Sequence, residues 1–170
     1  MTAFVVDANV MNGFQNERAK DVVDEHIEAI EAILEAGHIG LDEGGHCEQE
    51  WLDCAAGAHP LALKDWIADK RVEQKIRPYE MPTDPDNKSL NALGLPRKDH
   101  KWIRLAKCSD AEAIISNDID FLDCKKKRAN AKAKAKIREN ESGATSKWIS
   151  KNVGCSVWLV CNVCSHLDQS

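Results

Sequence analysis

Four short β-rich runs, each separated from the next by a helix-length stretch, constrain this chain more than any other feature. Ala3-Phe4-Val5-Val6 stops at Asp7, and His38-Ile39-Gly40-Leu41 is the second run. Ala113-Ile114-Ile115-Ser116 stops at Asn117-Asp118, and Ser156-Val157-Trp158-Leu159-Val160-Cys161 is the last. None is close enough to another for a hairpin, so the connections are crossovers, and right-handed crossovers build a parallel sheet. Between the runs, Val23, Ile27, Ile30 and Leu34 repeat at helical spacing over 21–36, with Gly37 as the expected C-cap. A helix follows Gly44-Gly45 through Glu50, Trp51, Leu52 and Ala55. Another is expected over about Leu61 to Ile76, with Leu63, Trp66, Ile67 and Ile76 as its buried stripe. Pro78, Pro82, Pro85 and Pro96 punctuate a polar connection, helix returns near Lys98 through Trp102, Ile103 and Leu105, and a short helix lies near Ser146–Lys151. The expected fold is α/β: a three-layer α/β/α sandwich with a central, mainly parallel sheet of four or five strands, in one domain spanning 1–170.

Charge is segregated along the chain. The net charge is −5 over 170 residues, yet the first 59 carry thirteen acids against Arg18 and Lys20. Residues 125–138 carry eight bases and no acid. This Lys-rich insertion on an acidic body suits a protein that holds cations in one place and phosphates in another. Lys125, Lys126, Lys127 and Arg128, with Lys132 and Lys136 one helical turn apart, are the candidate contacts to a phosphate backbone. No aromatic residue is interleaved there, which argues against base stacking by this segment.

Apolar residues make up 43% of the chain, enough for one core. The opening MTAFVVDANVMNGF lacks the basic and long apolar regions of a signal peptide, and no apolar run reaches the roughly 20 residues of a membrane span. A cytoplasmic protein is expected. Its seven cysteines are then free thiols. Cys161-Asn162-Val163-Cys164, near His166, is the one ligand-like spacing, but no second pair accompanies it, so packing on the last strand is expected for Cys161. His46, His59 and His100 are isolated and expected at the surface, and the five tryptophans are expected mostly in the core.

In open parallel sheets ligands sit beyond the carboxyl ends of the strands. Asp7 and Asp118 follow strands, Glu50 lies in the helix after the second run, and Asp99 opens the helix before the third. Singly, each has an ordinary explanation as a cap, a turn or a solvated helix residue. Together at one edge they cannot all stay ionised unless cations neutralise them, and hard oxygen ligands in that number suit Mg²⁺ or Mn²⁺. Phosphodiester hydrolysis is the chemistry that uses such a site without a Cys, Ser or His nucleophile.

These segments resemble the motifs of one family. Phe4-Val5-Val6-Asp7-Ala8-Asn9-Val10 looks like the opening motif of PIN domains, and Ser116-Asn117-Asp118-Ile119-Asp120-Phe121 is similar to their late T/S-x-D-x-D-F motif. Asp99-His100-Lys101-Trp102 resembles the helix start bearing their third acid, and Glu48-Gln49-Glu50-Trp51 their acid–aromatic segment. The resemblance covers roughly residues 3–124, with four motifs in order. It implies a metal-dependent endoribonuclease with Asp7, Glu50, Asp99 and Asp118 as catalytic metal ligands and Asp120 as an outer acid. Asn9 and Ser116 would orient carboxylates. Glu43 and Glu48 compete with Glu50 for the second acid, and Glu50 is preferred because Trp51 follows it. Single-stranded RNA is the implied substrate, in a toxin, defence or RNA-processing role, with a small inhibitory protein and a second copy as implied partners. Ser116 for the commoner Thr, and the length of the Lys-rich insertion, depart from the family pattern.

Other acidic α/β families fit less well. A phospho-receiver needs paired acids after its first strand, and a haloacid-type phosphatase needs Asp-x-Asp where this chain has Asp7-Ala8-Asn9. The remaining alternatives are a DNA-directed nuclease of the flap or NYN kind and a non-catalytic RNA- or protein-binding module that kept the fold.

Overall fold

The computed structural model describes residues 1–55, 60–81 and 87–170. Five strands, β1 (Thr2–Val6), β2 (Gly37–Asp42), β3 (Ile76–Tyr79), β4 (Ala113–Ile115) and β5 (Ser156–Trp158), form one sheet. Their order is β3-β2-β1-β4-β5, and every pairing is parallel. The expected α/β architecture is therefore present, with helices on both faces. On one side lie α1 (Ala8–Ala19), α2 (Glu25–Ala36), α3 (His46–Cys54), α4 (Pro60–Val72) and the terminal α10 (Val163–Asp168), linked by contacts of α1 with α2 and α3, α3 with α4, and α10 with α2. On the other, α6 (His100–Cys108) packs on β1, β2 and β4 and meets α9 (Ala144–Val153). Short α5 (Asn87–Leu93) and α7 (Asp120–Asp123) and the Lys-rich α8 (Ala131–Asn140) complete the described elements. No helix among the described residues is long and apolar enough to cross a membrane.

Central strands read as continuous apolar runs because both faces are covered. Phe4, Val5, Val6, Ile114 and Ile115 are fully buried, and Trp51, Trp102 and Phe121 fill the layers around them. The Trp51 indole Nε1 donates to Val6 O (2.8 Å), which pins α3 against the carboxyl end of β1. That single bond fixes where Glu50, one residue earlier, can reach.

Several boundaries differ from expectation. The helix expected to reach Ile76 ends at Val72, and Ile76 enters edge strand β3. Pro78 is tolerated there because an edge strand pairs on one side only. Helix α1 is built from Asn-rich sequence with weak propensity; burial of Val10, Met11 and Phe14 stabilises it instead. Helix α2 starts at Glu25 behind an Asp24 cap, which leaves Val23 exposed. Gly37 is the C-cap of α2 as expected, its amide donating to Ile33 O, but with an extended rather than left-handed backbone, so that it also opens β2. The last strand stops at Trp158, and Cys161 sits in a 3-10 turn, exposed, as is Cys164. Neither cysteine packs in the core. His100 is fully buried, its ring bonded to Leu95 O (3.0 Å), not at the surface. Pro82, Pro85 and His59 lie outside the described residues.

Gly37 faces Thr2 across the first β1–β2 register pair, and a Cβ there would fall 2.0 Å from Thr2 O. Gly37→Ala should therefore lower stability by about 1–3 kcal/mol through overpacking. Urea unfolding reads this; an unchanged midpoint would show that the two strands can separate at this point without cost.

Candidate metal centre

Parallel pairing of β1 with β4 brings the two strand ends to one edge, with Val6 beside Ile115 and the Asp7 amide donating to Ile115 O (2.9 Å). Asp7 caps α1, its Oδ1 accepting from Ala8 N (2.7 Å). Its Oδ2 accepts from the Ser116 hydroxyl (2.7 Å), whose oxygen in turn accepts from Asp118 N (3.0 Å). Asp118 Oδ1 accepts from Asp120 N (3.0 Å). One chain of bonds thus runs Asp7–Ser116–Asp118–Asp120, so the late motif and the opening motif are oriented as a unit.

Asp99 ends a 3-10 turn just before α6 and is buried. Asp99, Asp118 and Asp120 each offer a carboxylate oxygen, all within 4.8 Å of one another. Asp99 Oδ2 and Asp120 Oδ1 are buried with no hydrogen-bond partner. A buried carboxylate oxygen without a donor is costly unless something positive meets it. Burial, then the charges of Asp7 and Asp118, push Asp99 up from the ordinary value of 3.8 to about 7. Burial likewise pushes Asp7 up to about 6 against the lowering effect of its Ser116 and Ala8 bonds, with Asp118 and Glu50 adding to the rise. Asp7 stands outside the tightest trio yet close enough to couple with it.

Glu50 lies near enough for its charge to add to the rise of Asp7, but it is paired with Lys101, its Oε2 lying 2.6 Å from Nζ. Glu48, two residues earlier and so on another helix face, instead makes a two-pronged pair with Arg71 of α4 (2.5 and 3.3 Å). Expected as a supporting acid, Glu48 is a helix–helix tie. Glu43 is exposed. Of the three competitors for the second acid, Glu50 is the one whose charge acts on Asp7. Among the described residues Asn9 bonds to no carboxylate; its Oδ1 accepts from Asn117 N (3.4 Å), steadying the loop that carries Asp118.

Three participants had no prominent signal in the sequence. Lys127 Nζ donates to Asp120 Oδ2 (2.8 Å), so one of the expected RNA contacts is engaged within the cluster. Lys101 neutralises Glu50. Asn117 joins the rim, accepting from Val160 N (3.3 Å) and, through its carbonyl, from Arg138 (2.8 Å). Lys125, Lys126 and Arg128 are exposed in the turn after α7, and Lys132 and Lys136 are exposed on helix α8. The basic segment therefore starts at the edge of the acidic cluster.

The donor set is all carboxylate oxygen, which fits a hard divalent cation such as Mg²⁺ or Mn²⁺ better than zinc. The burial of Asp99 and Asp7 also has a consequence for stability. Both have raised folded-state values, so the folded protein holds more protons than the unfolded chain above pH 3.8. Their stabilising protonation is fully present below that value and is lost as pH rises through about 6 and about 7. In EDTA, Tm should fall as pH rises over this window, and Asp99→Asn should flatten the dependence. A Tm that rises across the same window would mean the carboxylates are stabilised as anions.

No protein-family model, no curated protein and no solved structure matches this chain, so its own geometry carries the functional reading.

Proposed function

We propose that this protein is a divalent-metal-dependent nuclease of the PIN kind that hydrolyses phosphodiester bonds in single-stranded RNA. The observation that carries this reading is the trio of Asp99, Asp118 and Asp120, with carboxylate oxygens within 4.8 Å of one another and a buried Asp99 oxygen lacking any partner. Asp7 stands beside them as the fourth acid, positioned by Ser116. Mg²⁺ or Mn²⁺ held there supplies Lewis acidity toward a phosphate ester and the water that attacks it. The chain's own contribution is placement: Asp99, Asp118 and Asp120 hold the cation, Ser116 fixes Asp7 and the Asp118 backbone, and the bases after α7 draw the RNA backbone to the same edge. RNA rather than DNA follows from the motif resemblance.

A second reading draws on the two lysines. Lys127 and Lys101 already offset Asp120 and Glu50, as they would in a binding module that needs no metal. Calorimetry with Mn²⁺ separates the two, because only the nuclease binds the ion, and Asp118→Asn abolishes that binding.

Cleavage of single-stranded RNA should require Mn²⁺ or Mg²⁺ and stop in EDTA. Asp7→Ala or Asp118→Asn should slow it by more than about a hundredfold, and Ser116→Ala by roughly ten- to a hundredfold, the range for partners that orient a metal ligand. Undiminished cleavage by Asp118→Asn would place the chemistry elsewhere. Replacing Lys125, Lys126 and Arg128 with Ala should weaken binding to all RNA sequences alike and lower the salt slope by about 2, at roughly 0.7 for each phosphate left without its cation. Fluorescence anisotropy across salt concentrations reads this, and an unchanged slope would remove the segment from the RNA path.

A further inference from the structure

Lys127 and Asp120 form an asymmetric pair. Their atoms are 2.8 Å apart, but the Asp120 side chain is 1% exposed and that of Lys127 is 54% exposed. The carboxylate is buried on a backbone held by the bond from the Asp120 amide to Asp118 Oδ1. The ammonium arrives from the surface on a flexible stem, from a turn whose backbone is held by Asp123 Oδ1 on Lys125 N and by Lys126 O on Ala129 N. Lys101 is different: only 19% exposed, it lies over the Trp102 ring and is confined beside Glu50. Of these two cations, Lys127 alone has room to leave.

We infer that Lys127 is an internal counter-ion that competes with the divalent ion at Asp120 and, once displaced, serves the RNA phosphate, coupling ion binding to RNA binding. The inference rests on the reading of the carboxylate trio as a divalent-metal site. Two cations on one carboxylate repel each other, and water around the half-exposed ammonium screens this only in part. An ion shared by Asp99, Asp118 and Asp120 therefore drives the ammonium off Asp120 Oδ2. The freed amine stays at the rim beside Lys125, Lys126 and Arg128, where a phosphate approaching the cluster would meet it. Coupling of this kind is reciprocal: what the ion does for RNA affinity, RNA does for ion affinity.

Mn²⁺ calorimetry on wild type, Lys127→Met and Lys127→Arg at low ionic strength tests the competition. Lys127→Met should bind Mn²⁺ about two- to fivefold more tightly than wild type, the size a half-exposed ion pair supplies, and Lys127→Arg should not. Mn²⁺ should also tighten binding of a short phosphorothioate RNA by a larger factor in wild type than in Lys127→Met. Equal or weaker Mn²⁺ binding by Lys127→Met overturns the inference and leaves the metal site standing; no binding by either protein overturns both. Should Lys127→Met fail to fold, acetylation of Lys127 in the wild type, followed by mass spectrometry, gives the same answer. Mg²⁺ should accelerate it, and an unchanged rate contradicts displacement.

Discussion

Repulsion between carboxylates gathered at one sheet edge is the constraint around which the rest of this structure is arranged. Asp99 and Asp7 are buried; the charge of Asp7 raises the affinity of Asp99 for protons, and the charge of Asp118 raises that of both. The fold holds them there because the parallel β1–β4 pairing and the Ser116 bridge leave Asp7 and Asp118 no other place to go. Asp42 shows what an acid at this edge looks like when it is only structural. It closes β2, is buried, and gives both oxygens to the amides of His46 and Cys47 at the start of α3 (2.9 and 2.8 Å). Position at a strand end is thus not enough to define a site. What separates Asp99 from Asp42 is an oxygen with nothing to accept from.

The same electrostatic imbalance accounts for the basic segment. A chain that concentrates acids in its first third would repel a polyanion along most of its surface. Beginning the Lys-rich stretch directly after α7 puts positive charge next to the acidic cluster, and Lys127 reaches back into it. Helix α8 has no buried residue and gains stability chiefly from local terms, including the Asn130 cap on Ala133 N (2.9 Å). It is tied to the rim by Arg138 on the Asn117 carbonyl. A helix that meets the core only through half-buried Ile137 yet is anchored at the candidate site is better placed for recognition than for folding.

Much of this was readable from residue order because parallel sheets leave a strong trace. Continuous apolar runs such as Phe4–Val6 and Ala113–Ile115 can only be central strands once hairpins are excluded, and the acids after them follow by topology. What escaped was decided by tertiary context. Strand β3 contains Pro78 and only one buried residue, Ile76, so edge pairing rather than composition makes it a strand. Helix α1 forms against weak propensity because Val10, Met11 and Phe14 have a core to fill. Glu48 and Glu50 both lie in the acid–aromatic segment, and only the docked helix shows that Glu48 pairs with Arg71 and Glu50 with Lys101. Lys127 lies seven residues from Asp120, a spacing with no meaning until the turn after α7 folds back.

The central claim is that these carboxylates form a cation site, and anomalous diffraction from Mn²⁺-soaked crystals tests it most directly. The account predicts a peak at about 2.1–2.2 Å from oxygens of Asp99 and Asp118, with Asp120 in reach. Ordered Asp99 and Asp118 side chains with no anomalous density between them at saturating Mn²⁺ would contradict it.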